Sequence, residues 1–156
     1  MSDKMNVLFI ISDQHRADHM SCAGNSVLKT PNLDALASEG VRFTNAYCAN
    51  PMCMPNRASI FTGCYPNVHE VRSNGINLKD GLDTFVESLR KKGYITSKIG
   101  KPHFQFWVPA YKRRHKSHEA IHSWLEHPKE ARDEFPLPYY GFSECETTLG
   151  HGDLCA

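Results

Sequence analysis

The side chains in this sequence best suited to chemistry are a thiol and a guanidinium four residues apart, in Cys53-Met54-Pro55-Asn56-Arg57. Pro51 and Pro55 restrict the backbone and keep the approach to Cys53 out of a regular helix. From Pro55 to Phe61 the chain can form a short helix, and Gly63 is placed to end it. Cys53 then sits at or just before a helix N-terminus beside Arg57, where both favour an anion or an activated nucleophile. A buried structural thiol in a Pro-rich turn fits these five residues equally well.

Other chemically able groups fall at the ends of predicted strands. Asn6-Val7-Leu8-Phe9-Ile10-Ile11-Ser12 is a continuous apolar run, the pattern of a strand buried on both faces of a parallel sheet. It ends in Asp13-Gln14-His15, and ligand sites in open α/β sheets lie outside the carboxyl ends of strands. Asp13 is thus placed for a metal ligand, although an isolated aspartate more simply caps the next turn. A later predicted strand, Tyr94-Ile95-Thr96-Ser97-Lys98-Ile99, ends at Gly100-Lys101-Pro102-His103. A parallel sheet would bring Asp13, Cys53, Lys101 and His103 to one edge.

The elements between them are scaffold. Thr30 as N-cap, Pro31 at the first helical position and Gly40 as the stop predict a helix with Leu33, Leu36 and Ala37 facing the core. Residues 41–47 alternate as a strand, and 67–75 are turn-like. Asp83 or Thr84 can cap a helix running through Phe85, Val86, Leu89 and Lys92 to Gly93. Strand, helix, strand argues for a βαβ-type sheet. Beyond Phe104 the pattern weakens. Lys112-Arg113-Arg114-His115-Lys116 is a basic run, and His115, His118 and His122 share one helical face, read as a solvated surface rather than a metal site. Residues 126–130 and 135–138 are expected as exposed loop, 139–149 as a further strand, and Gly150-His151-Gly152-Asp153 as a turn.

Composition excludes some classes. In 156 residues, 40% are hydrophobic and 22% charged, and the net charge is +1. That balance suits a globular domain and offers no general attraction to nucleic acid or to a membrane. The apolar run at 7–11 is too short for a signal-peptide core or a membrane span. Without a secretory signal, the six cysteines are read as thiols in a reducing compartment, the cytoplasm.

Taken in order, Asp13, Cys53-x-Pro55-x-Arg57, Thr62-Gly63-x-x-Pro66, Asn74 and Gly100-Lys101-x-His103 resemble the type I sulfatase family, formylglycine-dependent hydrolases of the alkaline-phosphatase-like superfamily. The resemblance covers most of residues 5–103 and extends weakly to 139–153. It implies an α/β fold, a mostly parallel sheet flanked by helices, with 1–156 as the N-terminal part of a sulfatase catalytic domain and 105–138 as a loop or helix insertion. It also implies hydrolysis of a small-molecule sulfate ester. A tetrahedral anion repels nucleophiles, so such a site must neutralise charge and supply a strong nucleophile. By resemblance, a separate maturation enzyme oxidises Cys53 to formylglycine, whose hydrate carries two geminal hydroxyls. One attacks sulfur as the alcohol leaves, and the other expels sulfate by re-forming the aldehyde. Asp13, Gln14 and the modified Cys53 would hold a divalent cation, Ca²⁺ or else Mg²⁺ or Mn²⁺. Arg57 would hold the hydrate, Lys101 a sulfate oxygen, and His103 would transfer a proton or touch the sulfate. Asn74 would assist binding near the metal or sulfate.

Two departures from the family pattern matter. Many members carry two aspartates where this chain has Asp13-Gln14; Gln still offers a carbonyl oxygen, and members acting on phosphonates or choline esters look similar here. The family's remaining metal ligands and a second lysine have no counterpart before Ala156, so the chain reads as truncated. The expectation is that the 156-residue polypeptide alone is weakly active or inactive. A homo-oligomer or the missing C-terminal half would then cover apolar surface. Phosphonate monoester or phosphodiester hydrolysis is the competing enzymatic reading, and an inactive fragment is another. A structural zinc site of Cys48, Cys53, Cys64 and His69 is disfavoured because it lacks a Cys-x₂-Cys pair.

Overall fold

The computed structural model describes residues 4–108, 116–133, 135–149 and 154–155. The chain divides into two compact units, Met1–Tyr47 and Cys48–Ala156.

In the first unit a short 3-10 turn at Ser21–Ala23 is followed by helix α1, Pro31–Glu39, with proline in its first turn as expected. Thr30 stands at the N-cap position but makes no side-chain cap bond. Asp34 ties the two pieces together instead, accepting from the Cys22 amide at 2.8 Å and from Ser21 Oγ at 2.5 Å. The two expected strands, 6–12 and 41–47, form no ladder among the described residues. Leu8 is 85% exposed and Phe43 79%. A strand buried on both faces needs neighbours on both edges, and this unit supplies none. For the same reason the expected core face of α1 is not buried; Leu36 is 64% exposed.

In the second unit, α2 spans Cys53–Thr62 and ends at Gly63, whose left-handed φ of 68° lets its amide reach Ser59 O at 2.9 Å. A single turn, α3 (Pro66–His69), lies where only a turn-like stretch was expected. Helix α4, Phe85–Lys91, is capped by Thr84, whose hydroxyl accepts the Glu87 amide at 3.0 Å. Strand β1, Ser97–Gly100, runs parallel to β2, Glu144–Leu149, from Ser97↔Glu144 to Gly100↔Thr147; β3, Leu154–Cys155, joins β2 antiparallel. Both strands are shorter than the runs expected at 94–99 and 139–149.

Phe61 of α2 centres the core. It stacks on Phe85 at 5.1 Å and meets Phe104 and Phe142 edge-on at 4.9 and 5.9 Å. Gly141 is required here, because at its φ of 96° an added Cβ would collide with the Glu87 backbone nitrogen.

The region expected as an insertion, 105–138, carries α5 (Ile121–Glu126) and α6 (Pro128–Asp133), so α6 replaces the loop expected at 126–130. His118 precedes α5, so it does not share a helical face with His122. His115, the basic run apart from Lys116, and 150–153 lie outside the described residues.

Candidate active site

Cys53 is the first residue of α2, preceded by an extended Met52 whose amide donates to Asn50 Oδ1 at 2.8 Å. Pro55 falls within the first turn, where its missing N–H costs nothing. The amide of Met54 donates instead to Asn74 Oδ1 at 3.2 Å, and the Cys53 thiol points at the same oxygen at 3.5 Å. Asn74 thus caps the helix from 21 residues away and fixes the thiol's direction.

One turn into α2, the buried guanidinium of Arg57 donates from Nη1 to the carbonyl of Lys101 at 2.7 Å. This joins the helix to the residues that follow β1. His103 is buried with a left-handed φ of 53°. Its ring stacks on Trp107, with centroids 3.6 Å apart and planes within 10°, and Lys101 Nζ lies 4.7 Å from the Trp107 ring centroid. Trp107 is a shared platform for both groups, and sequence reasoning missed it; its only signal was an aromatic ring four residues past His103.

The turn at 103–107 is held from behind. Glu119 Oε1 accepts the amides of Phe104 and Gln105 at 3.0 and 3.1 Å and the Tyr139 hydroxyl at 2.5 Å. Asn77 Oδ1 accepts the Phe106 amide at 2.9 Å, Ser117 Oγ donates to Phe106 O at 2.6 Å, and the Ile121 amide donates to Trp107 O at 2.9 Å. Complete burial pushes the Glu119 carboxyl above its ordinary range, opposed by the hydrogen bonds it accepts. Burial raises Tyr139 as well and lowers Lys98.

A second buried pair, Ser59 and His69, joins α2 to α3. His69 Nδ1 accepts the Val71 amide at 3.1 Å, which leaves its proton on Nε2, 2.9 Å from Ser59 Oγ. Burial holds this imidazole below its ordinary value. With both ring nitrogens engaged, His69 is not available to a zinc site with Cys48, Cys53 and Cys64.

Asp13 and Gln14 lie in the first unit, both exposed, with Asp13 Oδ1 accepting the Gln14 amide at 3.0 Å and Gln14 at a φ of 24°. Their adjacent carboxylate and amide oxygens fit a hard divalent cation in donor type, supplying two of the roughly six to eight oxygens such an ion takes. Among the described residues, no group of three or more His, Cys, Asp or Glu side chains gathers as a metal cage.

The chain matches the family model Sulfatase over residues 5–146. An ulvan-active sulfatase of Formosa agariphila is 34% identical over 147 residues, 88% of this chain and 29% of that protein. A solved phosphonate monoester hydrolase of Agrobacterium radiobacter superposes with a TM-score of 0.65 at 29% identity, covering 91% of this chain and 25% of its own. A second solved structure, in complex with its substrate D-glucosamine-2-N,6-O-disulfate, gives a TM-score of 0.63 at 36% identity, over 67% of this chain and 21% of its own. The fold they share with this chain is alkaline-phosphatase-like. Within it, the chain belongs to the sulfatase family, and it spans less than a third of the length of these relatives.

Proposed function

We propose that the protein hydrolyses sulfate esters, with Cys53, converted to formylglycine by a maturation enzyme, as nucleophile and a hard divalent cation at Asp13 and Gln14. The observation that carries this reading is the joining of α2 to the histidine turn by Arg57 and Lys101 O. It keeps the Cys53 helix start, the Lys101 ammonium and the His103 imidazole in one construction. The formylglycine hydrate supplies paired hydroxyls, one to attack sulfur and one to release sulfate. Asp13 and Gln14 would hold the cation through oxygen, and its chemistry when bound would be that of a Lewis acid.

The rest falls to this chain's own side chains. Asn74 directs the residue at position 53 and accepts the Met54 amide at the helix start. The Arg57 guanidinium, permanently charged, balances negative charge developing at the helix start. Lys101, steadied over Trp107, binds a sulfate oxygen. His103, fixed by the same ring, exchanges a proton with the leaving alcohol.

Phosphonate monoester hydrolysis is the second reading, supported by the likeness to the Agrobacterium enzyme over 91% of this chain and by a neutral Gln14. The same nucleophile can attack phosphorus, so charge and pocket shape decide. Side-by-side rates on an aryl sulfate and a phenyl phosphonate ester separate the two, with peptide mass reporting conversion at Cys53. Faster aryl sulfate turnover by protein carrying the aldehyde is expected; a plain thiol in an active protein would overturn the proposed nucleophile.

A further inference from the structure

His103 holds a left-handed backbone that a non-glycine residue keeps only where its surroundings over-determine it. The two amides that follow it, of Phe104 and Gln105, are buried and turned toward one atom, Glu119 Oε1. Glu119 has no exposed surface, and its other oxygen, Oε2, is without a hydrogen-bond partner among the described residues. A carboxyl that puts three donors on one oxygen and none on the other is placed to serve that one oxygen. Tyr139 fixes its orientation from the far side at 2.5 Å.

We infer that Glu119 is a positioning residue for His103: its Oε1 oxygen gathers the two amides after the histidine and thereby sets the imidazole against Trp107. Segment 117–121 is then the second wall of the histidine turn. Its neighbours act alike, since the His118 amide donates to Gln105 Oε1 at 2.7 Å and Ser117 Oγ to Phe106 O. Acceptor geometry, not negative charge, is what the turn requires. Glutamine, which keeps the acceptor without the charge, therefore replaces Glu119; alanine and aspartate, which remove or withdraw the acceptor, do not.

The effect on rate rests on the sulfate-ester reading, whereas the effect on the turn does not. The test uses the whole protein with Cys53 matured and three variants, Glu119→Gln, Glu119→Ala and Glu119→Asp. Aryl sulfate kinetics, amide hydrogen exchange at Phe104 and Gln105, and thermal melts are measured on each. Glu119→Gln is expected to keep kcat and KM within about threefold and both amides protected. The other two lower kcat roughly 100-fold with KM within about threefold, exchange both amides at least about tenfold faster, and still melt cooperatively. A folded Ala or Asp variant with wild-type kcat and protection overturns the inference. So does a folded Gln variant as impaired as Ala, or failure of both shortened variants to melt cooperatively, which would make the role purely structural. If the wild type turns over neither sulfate nor phosphonate esters, the outcome expected of these 156 residues by themselves, the exchange data still decide whether Glu119 holds the turn.

Discussion

The Cys53 corner and the histidine turn are built by opposite means. The corner is a helix start: regular hydrogen bonding sets its geometry, and one outside side chain, Asn74, finishes it. The turn at 103–107 has no regular structure and is stitched by Asn77, Ser117, His118, Glu119 and Ile121. A helix start is specified within a few residues and survives loss of a cap. A stitched turn depends on each stitch, because every buried amide left unmatched costs free energy. Removing chemistry should therefore dominate at the corner, and removing support should dominate at the turn.

The largest effect sharpens that contrast. Cys53→Ala is expected to lower sulfate-ester turnover at least roughly 1,000-fold while the melting midpoint stays near wild type. A residual rate within tenfold would remove position 53 from the chemistry. Next, Gly141→Ala strains a left-handed backbone and drives a methyl into α4 behind the turn. It should cost about 3 kcal/mol in urea unfolding.

Trp107→Ala comes third, an expected loss of about 30-fold in kcat/KM because Lys101 and His103 lose one platform together. Trp107→Phe keeps a ring and should recover most of it. If Trp107→Ala did no more than Asn74→Ala, corner and turn would not differ as argued. Asn74→Ala itself should cost about 1 kcal/mol of stability by uncapping α2.

The smallest prediction concerns pH. The unfolded Glu119 carboxyl ionises near 4.5, and the folded one higher. Its share of stability is therefore present below 4.5 and is lost as pH rises through the raised value. His69 runs the other way: its share is present above the ordinary 6.5 and is lost as pH falls through the lowered folded value. Glu119→Gln should flatten the decline on the alkaline side and leave the acid side intact, as read by urea midpoints across about pH 4 to 8. An unchanged profile would show that Glu119 does not titrate between the two states.

The legible parts were the local ones. Pro31, Thr84, Gly63 and Gly93 marked helix boundaries because caps and stops act through neighbouring residues. Cys53, Asn74, Lys101 and His103 are site candidates by their order along the chain, and the structure brings Asn74 to Cys53 and Lys101 to Arg57. Burial was not legible in the first unit. The run at 6–12 has the composition of a buried strand, but composition states a preference, and only neighbouring strands can satisfy it. Glu119 was missed for a similar reason. Among 117–121 nothing in the pattern distinguishes a carboxyl bound for solvent from one bound for the core, since its partners lie 15 and 20 residues away.

That separation also sets a sequence in time. Residues leave the ribosome from the N-terminus, so the Cys53 helix and Asn74 are both available as soon as residue 74 has emerged. The histidine turn must wait. Glu119 has to arrive to collect the amides of Phe104 and Gln105, and Tyr139 has to follow to orient Glu119. During synthesis there is therefore an interval in which the Cys53 segment and Asn74 have both emerged and the partners that fix His103 have not.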